Sequence, residues 1–167
     1  MESRMSASTH PLLDEDHARF ILGGVSINAA SSGAGNVPAV TRALGCRLSP
    51  DRKRVTVFLA ASRSASLLEA IAGSGRIAVV FSQPTTHRTI QLKGADAARV
   101  DVEAGDRELI ERCAEGFGAD LAAAGYGEEI ANLLLGTDFS DVVAVSFSPS
   151  AAFNQTPGPG AGRPLAR

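Results

Sequence analysis

The residues best suited to chemistry in this chain gather where an apolar run meets a cluster of hydroxyls, Ala60-Ala61-Ser62-Arg63-Ser64-Ala65-Ser66. A strand that empties into a helix start leaves backbone N–H groups without partners, and serine hydroxyls beside them add donors. Such a joint can take an anion, because the helix dipole places partial positive charge there. The plainer role of Ser62 or Ser64 is to cap the helix that follows. Other reactive residue types lack partners. His10, His17 and His87 have no ligand spacing and neither Cys46 nor Cys113 has a CxxC partner, so no metal site is expected. Both cysteines read as buried small hydrophobes, without a disulfide. Glu103, Asp106, Glu108 and Glu111 read as a solvated helix face and its N-terminal dipole partners. No residue is assigned a catalytic role.

The elements that would position the joint follow from periodicity. Arg54–Ala61 is β-branched and aromatic, as a half-buried strand requires. Leu67, Leu68 and Ile71 then predict a helix of about two turns, closed by Gly73-Ser74-Gly75. Strands follow over Arg76–Ser82 and His87–Gly94. Upstream, Asp14–Leu22 predicts a short helix with acids in its first turn. Val25–Ala30 and a single strand Pro38–Leu48 predict a hairpin across Ser31–Asn36. Downstream, Ala95–Val102 continues in extended form, and Asp106 opens a helix with Leu109, Ile110, Cys113, Phe117 and Leu121 on one stripe. Gly116 and Gly118 are expected to break or bend its far end. A short helix over Glu128–Leu135 and a strand over Asp141–Phe147 complete the pattern.

Three segments result: a flexible N-terminus over 1–11, one domain over 12–153, and an irregular Pro/Gly-rich tail over 154–167. That tail is expected either to lie free or to lie across a partner surface. Six or seven strands, early hairpins and no dinucleotide-type glycine fingerprint argue against a doubly wound parallel sheet. The expected class is mainly β with peripheral helices (α+β), with the strands closed into an antiparallel barrel.

At 167 residues the chain can bury a core of its own without staples. Its net charge of −2, with no basic stripe, gives no footprint for nucleic acid. No apolar run approaches the roughly 20 residues that span a bilayer. MESRMSASTHPLL lacks the apolar stretch of a signal peptide, which makes the cytoplasm the expected compartment.

The order strand, short helix, strand, strand, and within it RIAVVFS (Arg76–Ser82) followed by RTIQLKG (Arg88–Gly94), resembles the pyridoxamine-phosphate oxidase-like family, the flavin-binding split β-barrels. The resemblance covers about Ile21 to Val100 and implies a split antiparallel barrel that binds FMN. It also implies a homodimer with the cofactor cleft at the subunit interface, acting on a small molecule. A family strand spells arginine, four residues, then lysine, which Arg42 to Arg47 matches with a final arginine. The resemblance therefore makes Arg42 the phosphate ligand, and a guanidinium meets two phosphate oxygens at once. Backbone groups of Ala43 and Leu44 would flank the ring, with Ala60, Ser62 and Ser64 at the end of the next strand. Ala65 and Ser66 stand where the family has a basic pair, and Arg63 is the nearest substitute. Thr89 stands where the family directs an amide at the flavin, and Gln91 lies on the same strand face. The histidine-bearing C-terminal segment of true pyridoxamine-phosphate oxidases has no counterpart, so the implied function is an FMN-dependent oxidoreductase with another substrate. Two alternatives remain: a cleft for haem (with His87 as axial ligand), a deazaflavin or another ligand, and a cofactor-free interaction protein.

Overall fold

A computed structural model describes residues 11–165. The expected flexible terminus therefore lies, over 1–10, outside the described residues. The chain opens with helix α1 (Glu15–Leu22), whose N-cap Asp14 accepts from the His17 amide at 2.8 Å while its own amide reaches His17 Nδ1 at 3.4 Å. This reciprocal pairing satisfies two N–H groups that the first turn leaves open. It also commits the His17 ring to a structural role.

Strands β1 (Ser26–Ser32) and β2 (Pro38–Arg42) form the expected hairpin. The single strand predicted over Pro38–Leu48 is two strands in different sheets, because β3 (Gly45–Leu48) pairs with β4 (Val55–Ala60). The switch occurs at Ala43-Leu44. The Ala43 amide donates to Ile27 O in one sheet at 2.9 Å, and the Leu44 amide donates to Phe58 O in the other at 2.8 Å. Four consecutive residues, Ala43 to Cys46, are buried. A strand with one wet face cannot do that, but a chain passing between two sheets can.

After α2 (Ala65–Ser74) come β5 (Ile77–Ser82), β6 (Thr89–Gly94) and β7 (Ala98–Val100), the last much shorter than the expected extended run. Helices α3 (Asp106–Ala123) and α4 (Glu128–Leu135) precede β8 (Val142–Phe147) and β9 (Ala151–Asn154). Among the described residues nine strands thus replace the expected six or seven. They form one sheet of order β2-β1-β5-β6-β9 and another of order β3-β4-β8-β7, all pairs antiparallel. The tail boundary expected at residue 154 falls inside β9. Beyond it residues 155–165 fold back on the same strand, with Leu165 N donating to Ala152 O at 3.0 Å and a bridge joining Phe153 to Pro164.

Ile27, Val79, Phe81 and Leu92 of the first sheet meet Val55, Val57 and Leu59 of β4 in the main core. The opposite face of β4 is not solvated, as the sequence suggested, but covered. Phe58 and Ala60 join Leu44, Val142 and Ala144 in a second apolar cluster that partly buried Leu109 and Ile110 of α3 cover. β4 is therefore buried at all six positions. α3 runs unbroken through Gly116 and Gly118, contrary to expectation. A Cβ on Gly116 would come within 2.9 Å of Gly23 O, so this glycine is where the helix meets the end of α1. Arg47 Nη1 holds both carboxylate oxygens of buried Asp106, at 2.7 and 2.9 Å, and pins the start of α3 to β3. No helix among the described residues is long and apolar enough to cross a membrane.

Candidate functional site

Alternation along the first sheet sends Ile27, Ala29, Val79 and Leu92 inward and leaves the odd rows outward. Register places Arg42 opposite Asn28, Asn28 opposite Val80, Val80 opposite Gln91, and Gln91 opposite Phe153. The next row on this face is Val40, Ala30, Ala78, Lys93 and Ala151. The outer face is therefore polar toward one end, where Ser26, Ser82 and Thr89 extend it, and, Lys93 apart, made of small apolar residues toward the other. Arg42 and Gln91 stand three strand spacings apart, about 14 Å at about 4.8 Å each. That is a span a planar tricyclic ring with a side chain can bridge.

Arg42 is half-buried at the polar end. Its Nη1 donates to Ser26 Oγ at 2.8 Å, and its guanidinium lies 5.7 Å from the centre of the Phe117 ring. Burial pulls its pKa below the ordinary arginine value, yet among the described residues no carboxylate pairs with it. Asn28 beside it makes no side-chain hydrogen bond among the described residues and was not foreseen. Its only signal was the polar alternation Ser26, Asn28 around apolar Ile27. Gln91 Oε1 accepts from Gln155 Nε2 at 3.3 Å, so the folded-back tail borders the site. The Thr89 hydroxyl is engaged with Ser82 and with His87 O, both at 2.9 Å. Arg88 turns away to pair with Asp16 and stack over Phe20. His87 is exposed on the turn between β5 and β6.

The remaining sequence-predicted positions lie elsewhere. The Ala43 and Leu44 amides are spent on the two sheets, and both side chains are buried, as is that of Ala60. The serine joint sits on the inward side of β2, where Thr41 Oγ1 donates to Arg63 O at 3.3 Å. There Ser62 donates twice to Asp141, from its amide at 3.0 Å and its hydroxyl at 2.6 Å. Ser64 is 1% exposed and its hydroxyl has no partner among the described residues; it stands at the N-cap of α2 without bonding a helix amide. The site expected as one is thus two: Arg42, Thr89 and Gln91 on the outer face, and Ser62 and Ser64 at a joint already filled by a carboxylate. A separate groove of about 630 Å³ between α3 and α4, floored by Ile110, Phe139 and Val142, includes none of these residues. Among the described residues no group of acids, histidines and cysteines is disposed to hold a metal ion.

No family model matches the chain, and no curated protein matches it by sequence. Solved structures do. HupZ of Group A Streptococcus is similar over 90% of this chain and 100% of its own, at 15% identity and a TM-score of 0.54. A candidate pyridoxamine 5'-phosphate oxidase from Lactobacillus delbrueckii is similar over 84% of this chain and 93% of its own, at 13% identity and a TM-score of 0.51. An F420 reductase is similar over 84% of this chain and 98% of its own, at 13% identity and a TM-score of 0.51. With two antiparallel sheets joined at Ala43-Leu44 and helices at their margins, the chain has the pyridoxamine-phosphate-oxidase-like split-barrel fold.

Proposed function

We propose that this protein is a homodimer that binds a planar, anionic cofactor of the flavin class, FMN in the first instance, on the outer face of its larger sheet. The observation that carries the reading is Arg42. A charge drawn partly out of water is stable only with a partner, and arginine does not escape by losing its proton. A guanidinium with no carboxylate partner among the described residues, beside the open amide of Asn28, suits the phosphate of a mononucleotide. Across the row, Gln91 can donate through Nε2 to a ring carbonyl while Gln155 holds its oxygen. Between the two lie Asn28 and Val80, and Ala30 and Ala78 in the next row are small enough to let a flat ring lie against the sheet.

The fit is partial. The Ser62 hydroxyl and amide, and the Ala43 and Leu44 amides, have other partners, so they are not among the residues that would hold the cofactor. When bound, the flavin supplies the hydride chemistry itself. The chain's part is to place the ring, anchor its anion at Arg42, and exclude water. Exclusion calls for a second copy, because the outer face ends in Val40, exposed by 70%, with Val37 exposed by 68% just ahead of β2. The similarity to an F420 reductase makes a deazaflavin the nearest alternative occupant of the same face.

Flavin fluorescence, titrated with wild type and with Arg42→Ala, tests the assignment. Saturable quenching of FMN that weakens at least about tenfold in the variant supports it, as expected for loss of a charge-assisted hydrogen bond. Equal affinity of the two proteins would move the anion site away from Arg42.

A further inference from the structure

The joint between β4 and α2 holds an anion already, and it belongs to the chain. Asp141 closes the turn ahead of β8, and pairing of Ala60 with Val142 carries it to the start of α2. One residue then grips both of its oxygens: Ser62 N reaches Oδ1 at 3.0 Å and Ser62 Oγ reaches Oδ2 at 2.6 Å. A phosphate would seek the same donors, an amide and a hydroxyl of one residue in the short turn between β4 and α2. Arg63 does not open the joint either, because its Nη2 leans to Gly136 O at 3.4 Å.

We propose that Asp141 is a resident anion that determines specificity: it fills the Ser62 cradle and excludes phosphate from it. A second anion could enter only by displacing the carboxylate and then sitting beside it, against like-charge repulsion. The ligand's anionic group is thereby left to Arg42, on the opposite face of β2. The inference stands whether or not the outer face binds a flavin, because it concerns the joint alone.

Inorganic phosphate is the probe, titrated at constant ionic strength while thermal unfolding is followed. Each protein is compared with its Ser62→Ala counterpart, so that any response from Arg42 cancels. Wild type is expected to show no Ser62-dependent shift. Asp141→Ala is expected to melt below wild type and to be restored by phosphate in a saturable, Ser62-dependent way, binding at least about tenfold more tightly than wild type. Should Asp141→Ala not fold, Asp141→Asn removes the charge at nearly constant volume and is expected to behave likewise. A Ser62-dependent phosphate shift in wild type would overturn the proposal. So would a failure of both Asp141 variants to gain one.

Discussion

Alanine at position 116 ought to destabilise this protein, although alanine is the better helix former. In a helix interior, glycine to alanine gains about 1 kcal/mol from propensity alone. At Gly118 the new Cβ would stand 3.5 Å from the Ala131 Cβ, an ordinary contact, so most of that gain should survive. At Gly116 it would meet Gly23 O at 2.9 Å and Gly24 Cα at 3.1 Å. Both neighbours are backbone and cannot rotate aside. Gly24 is itself held at φ 76°, and a Cβ there would lie 2.6 Å from Gly116 Cα, so the two backbone segments leave no room for a side chain between them. Forcing a methyl group into such a contact costs about 1–3 kcal/mol, and the upper half applies where backbone must move. The balance for Gly116→Ala is a loss of about 1–2 kcal/mol, against a gain of about 0.5–1 kcal/mol for Gly118→Ala. In a chain of this length 1 kcal/mol moves the melting point by about 2–4 °C. Calorimetric melts of the two variants should therefore bracket wild type, Gly116→Ala about 3–6 °C below and Gly118→Ala about 2–3 °C above. Finding Gly116→Ala as stable as wild type would refute the packing of α3 against the end of α1. The next residue is Phe117, beside Arg42, so the same variant should also loosen cofactor binding.

Two further outcomes follow from burial and exposure. Sedimentation equilibrium should give twice the 17.2 kDa chain mass. Val40→Glu should shift it toward the monomer by about two orders of magnitude in Kd, from about 1.5 kcal/mol per buried valine counted twice by symmetry. A wild-type monomer at micromolar concentration would remove the enclosing partner from the account. For the thiols, burial pushes the pKa of Cys46 well up and that of Cys113 up. Neither should react with a thiol reagent at pH 8 until the protein unfolds, when both should react; rapid labelling of the native protein would contradict their burial.

What the sequence discloses here is what short-range periodicity can carry. Asp14 announces α1, and the alternation through Ile77, Val79 and Phe81 announces β5, because capping and strand period are local rules. The class of fold was legible from the order of such elements. The sheet switch was not, since PAVTRALGCRL reads as one strand until Ile27 and Phe58 are both known to accept from it. β9 was hidden because its four residues adjoin a Pro/Gly run and form a strand only by pairing with β6. The candidate site divided for the same reason. Ser62 finds Asp141 across 79 positions and Arg47 finds Asp106 across 59, and no spacing rule spans such separations. Arg42 was identified from the motif, but that it lacks a carboxylate partner among the described residues is a property of the packed sheet.

The claim that this fold holds a flavin at Arg42 is tested most directly by an absorbance spectrum. Wild type and Arg42→Ala would each be incubated with FMN, desalted and scanned. The account predicts flavin bands that persist with wild type and are lost with the variant. A colourless wild type after desalting, or bands of equal strength in both, would contradict it.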